Sequence, residues 1–176
     1  MRKAIVVALV LGMIFSGVFA KQWKPMFGGG LGFNLVNTSS DYGDDSDFGF
    51  VLRAEGMAPV YQSLYARASL LALRVGDVTN FSFGTGSAFD LVYFIPARNI
   101  EPYAVGGMNI EVMSGEGYSQ TTFGIAFGGG VQLQLRNAPV KPYGELLLGL
   151  GTISSDYTDY TTFEFSMLFG LRFGGR

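Results

Sequence analysis

Residues Phe163 to Phe173 alternate without a break. Phe163, Phe165, Met167, Phe169, Leu171 and Phe173 fall on one parity, and Glu164, Ser166, Leu168, Gly170 and Arg172 on the other. Successive side chains of an extended strand point to opposite faces, so this stretch is a strand with one large apolar face and one small or charged face. A soluble sheet buries its bulky face and wets the other. Here the bulky row is long enough to cross a bilayer, since a tilted spanning strand needs ~9–11 residues. The row carrying Glu164 and Arg172 then has to face an enclosed interior.

The bulk composition agrees with that polarity. Charged residues make up 15% of the 176-residue chain, against about 25% in an ordinary soluble domain. After the N-terminus no run of ~18 apolar residues appears, so a transmembrane helix does not explain the deficit. Glycine (26 residues) and aromatics (15%) are both abundant, which fits a β-barrel better than a helical fold. The chain contains neither Cys nor His. Disulfides, thiol chemistry and imidazole acid–base or metal chemistry are therefore excluded. A net charge of −2 supplies no basic field for nucleic acid.

Residues 1–20 have the form of a secretory signal peptide: Arg2 and Lys3, an apolar core from Ala4 to Phe15, and Val18-Phe19-Ala20 before the cleavage point. An uncleaved membrane anchor is the alternative. Residues 21–176 then form one barrel domain. Eight alternating segments are expected in it: 26–35, 48–59, 64–75, 81–95, 102–112, 122–135, 142–150 and 163–173. The third is the least regular, because Leu71 and Leu73 spoil the alternation, and a helix is the competing reading there. The connections 37–47, 76–80, 113–119 and 152–161 read as loops at one end, rich in Asp, Ser and Gly. Short turns at 60–63, 96–100 and 136–139 share the other end with both termini. In hydrocarbon every backbone polar group needs an internal partner, so spanning strands must close into a ring. The expectation is all-β: an eight-stranded antiparallel up-and-down transmembrane β-barrel preceded by a signal peptide.

The second half contains a repeat. Pro102-Tyr103 recurs as Pro142-Tyr143, Phe123 as Phe163 and Gly130 as Gly170, the signature of one hairpin unit used twice. Aromatics gather near both expected interfaces: Tyr61, Tyr65, Tyr93, Tyr103, Tyr143 and Phe173 at the turn end, Phe33, Phe48, Phe81, Phe123 and Phe163 at the loop end. Such paired girdles mark membrane barrels.

The inward parity holds Arg53, Glu55, Arg67, Asp90 and Glu145 at mid-depth, with Glu111 and Glu164 higher. An eight-stranded barrel is just filled by its inward side chains, and buried charges need partners. Arg67 is expected between Glu55 and Asp90, with Arg53 and Glu145 in the same network. Two readings follow, a structural plug and a gate over a narrow water path. The inward glycines, Gly28, Gly30, Gly32, Gly84, Gly86, Gly128 and Gly130, are compatible with either. The run Asp41 to Asp47 reads as a solvated loop, with cation binding the alternative, since it lacks EF-hand order. Gly84-Thr85-Gly86-Ser87 is no phosphate loop, because no helix with a Lys follows.

The signal peptide, the Pro-Tyr-led strands at 102 and 142, the Gly-rich strands at 27–33 and 124–130, and the final aromatic strand together resemble the small eight-stranded outer-membrane barrels of the OmpA/OmpX type. The resemblance covers residues 21–173. It implies a location in the bacterial outer membrane after export, contact with outer-membrane lipid and lipopolysaccharide, and Phe173 as the assembly signal read by the outer-membrane insertion machinery. Gly174-Gly175-Arg176 follow that phenylalanine, a departure from the pattern. No peptidoglycan-binding domain is expected beyond them. Outer-membrane enzymes of similar architecture rely on a catalytic His, which this chain lacks, so no enzymatic activity and no cofactor are expected. The expected role is structural or adhesive, as a monomer, with a surface ligand at 37–47 and 152–161. The alternatives are a small pore for ions or small solutes and a secreted lipocalin-like barrel binding a ligand inside.

Overall fold

In the computed structural model the described residues are 24–40, 43–75, 80–82, 89–115, 118–135, 138–154 and 159–175. The signal-peptide segment, Asp41 and Gly84 to Ser87 lie outside them. The described residues form nine strands: β1 (Met26–Ser40), β2 (Gly43–Tyr61), β3 (Leu64–Val75), β4 (Asn80–Ser82), β5 (Phe89–Phe94), β6 (Ile100–Gly115), β7 (Tyr118–Leu133), β8 (Val140–Ser154) and β9 (Asp159–Gly174). Both β4 and β5 pair with β3, so they occupy one position, the fourth of eight. Every pairing is antiparallel, each position joins its neighbours in sequence, and β1 pairs with β9 to close the ring. The architecture is an eight-stranded up-and-down barrel.

Polarity follows parity. On β1, Phe27 and Leu31 are 59% and 67% exposed on the outside, while Met26 and Asn34 are buried inside. On β8, Leu146 and Leu150 face out and Glu145 and Leu147 face in. On β5, Phe89, Leu91 and Tyr93 face out and Asp90, Val92 and Phe94 face in.

The third segment is a strand, and a β-bulge accounts for its broken pattern. Ala54 pairs with Leu71 and Glu55 with Ser69, leaving Leu70 as the extra residue. One extra residue reverses the parity beyond it. Leu71, Leu73 and Val75 therefore stand opposite Ala54, Leu52 and Phe50, on the outward row of β2.

Two expectations are corrected. The loops read at 37–47, 113–119 and 152–161 are mostly paired strand: the β1–β2 ladder continues to Ser40↔Gly43, β6–β7 to Gly115↔Tyr118 and β8–β9 to Ser154↔Asp159. Backbone pairing is indifferent to side-chain polarity, so the hairpins run on past the apolar band. Ser39 Oγ donates to Asp44 Oδ1 (2.6 Å) across one of them. Second, Tyr65, Tyr103 and Tyr143 do not belong to an outer girdle. They sit on inward positions and are buried, whereas Tyr61, Tyr93 and Phe173 face out.

Candidate functional site: an ionic layer across the lumen

The inward rows of β2, β3, β5, β8 and β9 meet in one layer. Arg67 and Asp90 are direct cross-strand partners, and Arg67 Nε donates to Asp90 Oδ2 at 2.7 Å. Arg67 Nη1 donates to Glu145 Oε2 (2.6 Å) and to Glu55 Oε2 (3.3 Å). Arg53 Nη2 donates to Glu145 Oε1 at 2.6 Å and lies 3.1 Å from Glu55 Oε2. The structure thus brings Arg53, Glu55, Arg67, Asp90 and Glu145 together, with side chains no more than 1% exposed.

A sixth member, Arg172 on β9, is absent from the network as read from the sequence. Its Nε donates to Glu55 Oε1 (2.6 Å) and its Nη2 to Glu145 Oε2 (3.3 Å). The signal for it was present, since Arg172 lies on the charged parity of the last strand. Three guanidinium groups now face three carboxylates, so the layer is neutral. Such a balance is what makes burial of six charges tolerable, because each ion loses its hydration on entering the lumen.

Two of the three inward tyrosines, Tyr103 and Tyr143, serve this layer. Arg172 lies over the Tyr143 ring at 3.8 Å and over the Tyr103 ring at 4.7 Å, within cation–π range. Tyr103 pairs with Gly130, and Tyr143 with Gly170. The sequence repeat is therefore a repeated joint, a tyrosine lying across the bare backbone of its partner glycine. A Cβ on Gly130 would come 2.5 Å from the Tyr103 ring, and one on Gly30 would come 2.6 Å from the Tyr143 hydroxyl. The inward glycines here are filled space.

Along the strands the ionic layer lies between two apolar ones. Val51, Leu147 and Leu168 are nearer the long hairpins, and Met26, Met57, Tyr65 and Phe94 nearer the short turns; all are buried. Tyr65 and Phe94 meet edge to face at 5.3 Å. Beside them a cavity of about 10 Å³ is lined by Met26, Tyr65, Phe94, Glu101, Gln132 and Lys141, room for about one water. On the other side Glu164 accepts from Asn34 Nδ2 (3.1 Å) and Ser166 Oγ (2.8 Å). The side chain of Glu111 lies outside the described part. Among the described residues no group of His, Cys, Asp and Glu could hold a metal ion.

Phe173 is half-exposed on the outer face, paired with Phe27 and Val140. After it the chain turns: Gly174 and Gly175 have φ of +88° and +67°, values that favour glycine. Gly175 N donates to Pro25 O (3.2 Å) and Lys141 Nζ to Gly174 O (2.8 Å). The two glycines thus fold the end of β9 against the start of β1.

No protein-family model matches this chain, and no curated protein matches it. Solved structures do. The crystal structure of Neisserial surface protein A superposes with a TM-score of 0.60 at 15% identity, over 84% of this chain and 96% of that one. Ail, the attachment invasion locus protein of Yersinia pestis, solved in complex with the heparin analogue sucrose octasulfate, gives 0.45 at 13% identity, over 85% and 99% of the two chains. The N-terminal β-barrel domain of OprF from Pseudomonas aeruginosa gives 0.46 at 10% identity, over 82% and 97%. By its strand number, its closure and its likeness to Neisserial surface protein A, the chain has the fold of the small eight-stranded outer-membrane β-barrels of the OmpA/OmpX type.

Proposed function

We propose that this chain is a bacterial outer-membrane barrel, exported by the segment 1–20, that acts structurally or through its surface and whose lumen is plugged by the Arg53, Glu55, Arg67, Asp90, Glu145 and Arg172 layer. The observation that carries this is the inverted polarity: Phe27, Leu31, Phe50, Phe127 and Phe169 lie bare on the outside while the charges are sealed within. Only a surrounding of lipid tails makes that arrangement favourable, because burying apolar surface is worth about 25 cal/mol per Å². The role is non-enzymatic. Phe173, on the outward row of the closing strand, is the group offered to the insertion machinery. The β1–β2 and β8–β9 hairpins, which extend past the apolar band, are where lipopolysaccharide or a surface ligand makes contact. The same polarity speaks against a lipocalin-like barrel, which needs its large apolar row inside.

Fractionating cells that express the full chain, with boiled and unboiled samples compared on a detergent gel, tests the reading. An outer-membrane band whose mobility changes on boiling is the expected result. A protein that stays soluble without detergent overturns it.

A second reading, a small pore, has one specific observation in its favour. Arg53 Nε and Nη1 and Arg172 Nη1 are buried with no hydrogen-bond partner in this arrangement. Spare donors allow the arginines a second pairing, and exchange between pairings would open a narrow path. Conductance in planar bilayers separates the two readings.

A further inference from the structure

We infer that Arg172 is a register-setting residue: its reach from β9 across β1 to Glu55 on β2 selects the strand alignment in which the barrel closes. The closing seam is β1 against β9, from Met26↔Gly174 to Ser39↔Thr161. Apart from the Gly175 N to Pro25 O bond at its end and the Asn34–Glu164 pair, little else in that seam specifies alignment. The inward row of β1 offers Gly28, Gly30 and Gly32, and glycine-rich strands slip easily. The outward rows, Phe and Leu on both strands, meet fluid lipid and fit it equally well after a shift. A one-residue slip is excluded by parity, because it would turn Arg172 and Glu164 outwards. A two-residue slip preserves every face, so it is the competitor that has to be rejected.

Arg172 rejects it by position. Gly28 gives it passage: a Cβ there would lie 3.0 Å from Arg172 Cγ. In the native alignment Arg172 Nε is 2.6 Å from Glu55 Oε1, and the guanidinium lies over Tyr143. Shifting β9 by two residues against β1 moves it about 6.8 Å along the strand, beyond the reach of Glu55, while Tyr143 on the paired strand β8 moves with it. It would also draw Glu145, on the paired strand β8, away from Arg53 on β2, so Glu55 and Arg53 would each lose a buried partner until the alignment is corrected. Asn34 and Glu164 add a second, weaker check further along the same seam.

The natural chain has no cysteine, so disulfide trapping reads the alignment directly. The outward pair Asn37 and Phe163 are partners in the native register. Cysteines at 37 and 163 report it, whereas cysteines at 37 and 161 or at 37 and 165 report slips of two residues in either direction. Full-length chains carrying each pair are folded into phosphatidylcholine vesicles and oxidised. With Arg172 present, the 37–163 pair should cross-link at least about tenfold more than either slipped pair. In Arg172→Gln that preference should fall to within about threefold. Arg172→Lys, which keeps the charge, should retain most of it.

Removing Arg172 alone strands carboxylates in the lumen, so Glu55→Gln/Arg172→Gln is the control that separates alignment from folding. It should close into boil-sensitive barrels and still show slipped cross-links. A closed double variant trapped only through 37–163 overturns the inference. Failure of the double variant to close at all also overturns it, because the residue would then be needed for the fold rather than for the choice of register.

Discussion

Arg53 on β2 and Glu145 on β8 are separated by two ring positions, β1 and β9, yet Arg53 Nη2 donates to Glu145 Oε1 at 2.6 Å. The contact is a strut across the lumen. Glu145 accepts from Arg67 and Arg172 as well, so Glu145→Gln leaves three buried guanidiniums facing Glu55 and Asp90. Breaking a buried pair from one side costs about 3–5 kcal/mol, and a loss of that size should appear in urea unfolding of the folded barrel in vesicles. Arg53→Gln/Glu145→Gln should lose less than the sum of its two single variants, because each removes the other's orphaned charge.

Each tyrosine–glycine joint should be intolerant of a single methyl group. A Cβ on Gly170 would meet the Tyr143 ring at 2.6 Å and Gly30 Cα at 2.7 Å. Overpacking of this kind costs about 1–3 kcal/mol, so Gly170→Ala and Gly130→Ala should each lower the urea midpoint. Tyr143→Phe keeps the ring under Arg172 and removes a hydroxyl that has no hydrogen-bond partner; its midpoint should stay close to that of the native chain.

The outer face makes the opposite demand. Phe127 is exposed there, and an arginine near the bilayer midplane costs about 2–4 kcal/mol. Phe127→Arg should therefore destabilise the barrel in vesicles by that order. Asp45→Ala, on the exposed β1–β2 hairpin, should change it by less than about 0.5 kcal/mol.

Salt should leave the layer untouched. Its charges are sealed from solvent, and ionic screening acts mainly on exposed charges. Unfolding free energy measured at 0.01 M and 1 M salt should agree to within about 1 kcal/mol.

Planar-bilayer recording should find the native chain silent. Arg67→Ala removes the donor that ties Asp90, Glu55 and Glu145 together and should produce discrete openings. Frequent openings in the native chain would favour the pore.

The barrel was legible because parity is a local property. In β1, β8 and β9 the alternation alone separates the outer face from the lumen, and it groups the five interior charges on one side of their strands. The bulge at Leu70 was not legible, since an inserted residue shows up only as a pattern that fails. The inward placement of Tyr65, Tyr103 and Tyr143 is harder to read, because tyrosine is at home both at an interface and in a packed lumen, and only parity decides between them. The place of Arg172 is hard to read for a related reason. It lies near the end of its strand, and its partner Glu55 becomes a neighbour only once the ring has closed. The hairpin extensions were hidden by polar composition, to which a backbone ladder does not respond.

The equal numbers of guanidiniums and carboxylates in the ionic layer have an electrical consequence. Moving one elementary charge through 100 mV is worth about 2.3 kcal/mol, but the six groups carry no net charge. Displaced together, they do no work against a potential across the membrane. Moved as a unit the layer carries no gating charge, and a potential acts on it only by driving its guanidiniums and carboxylates in opposite directions.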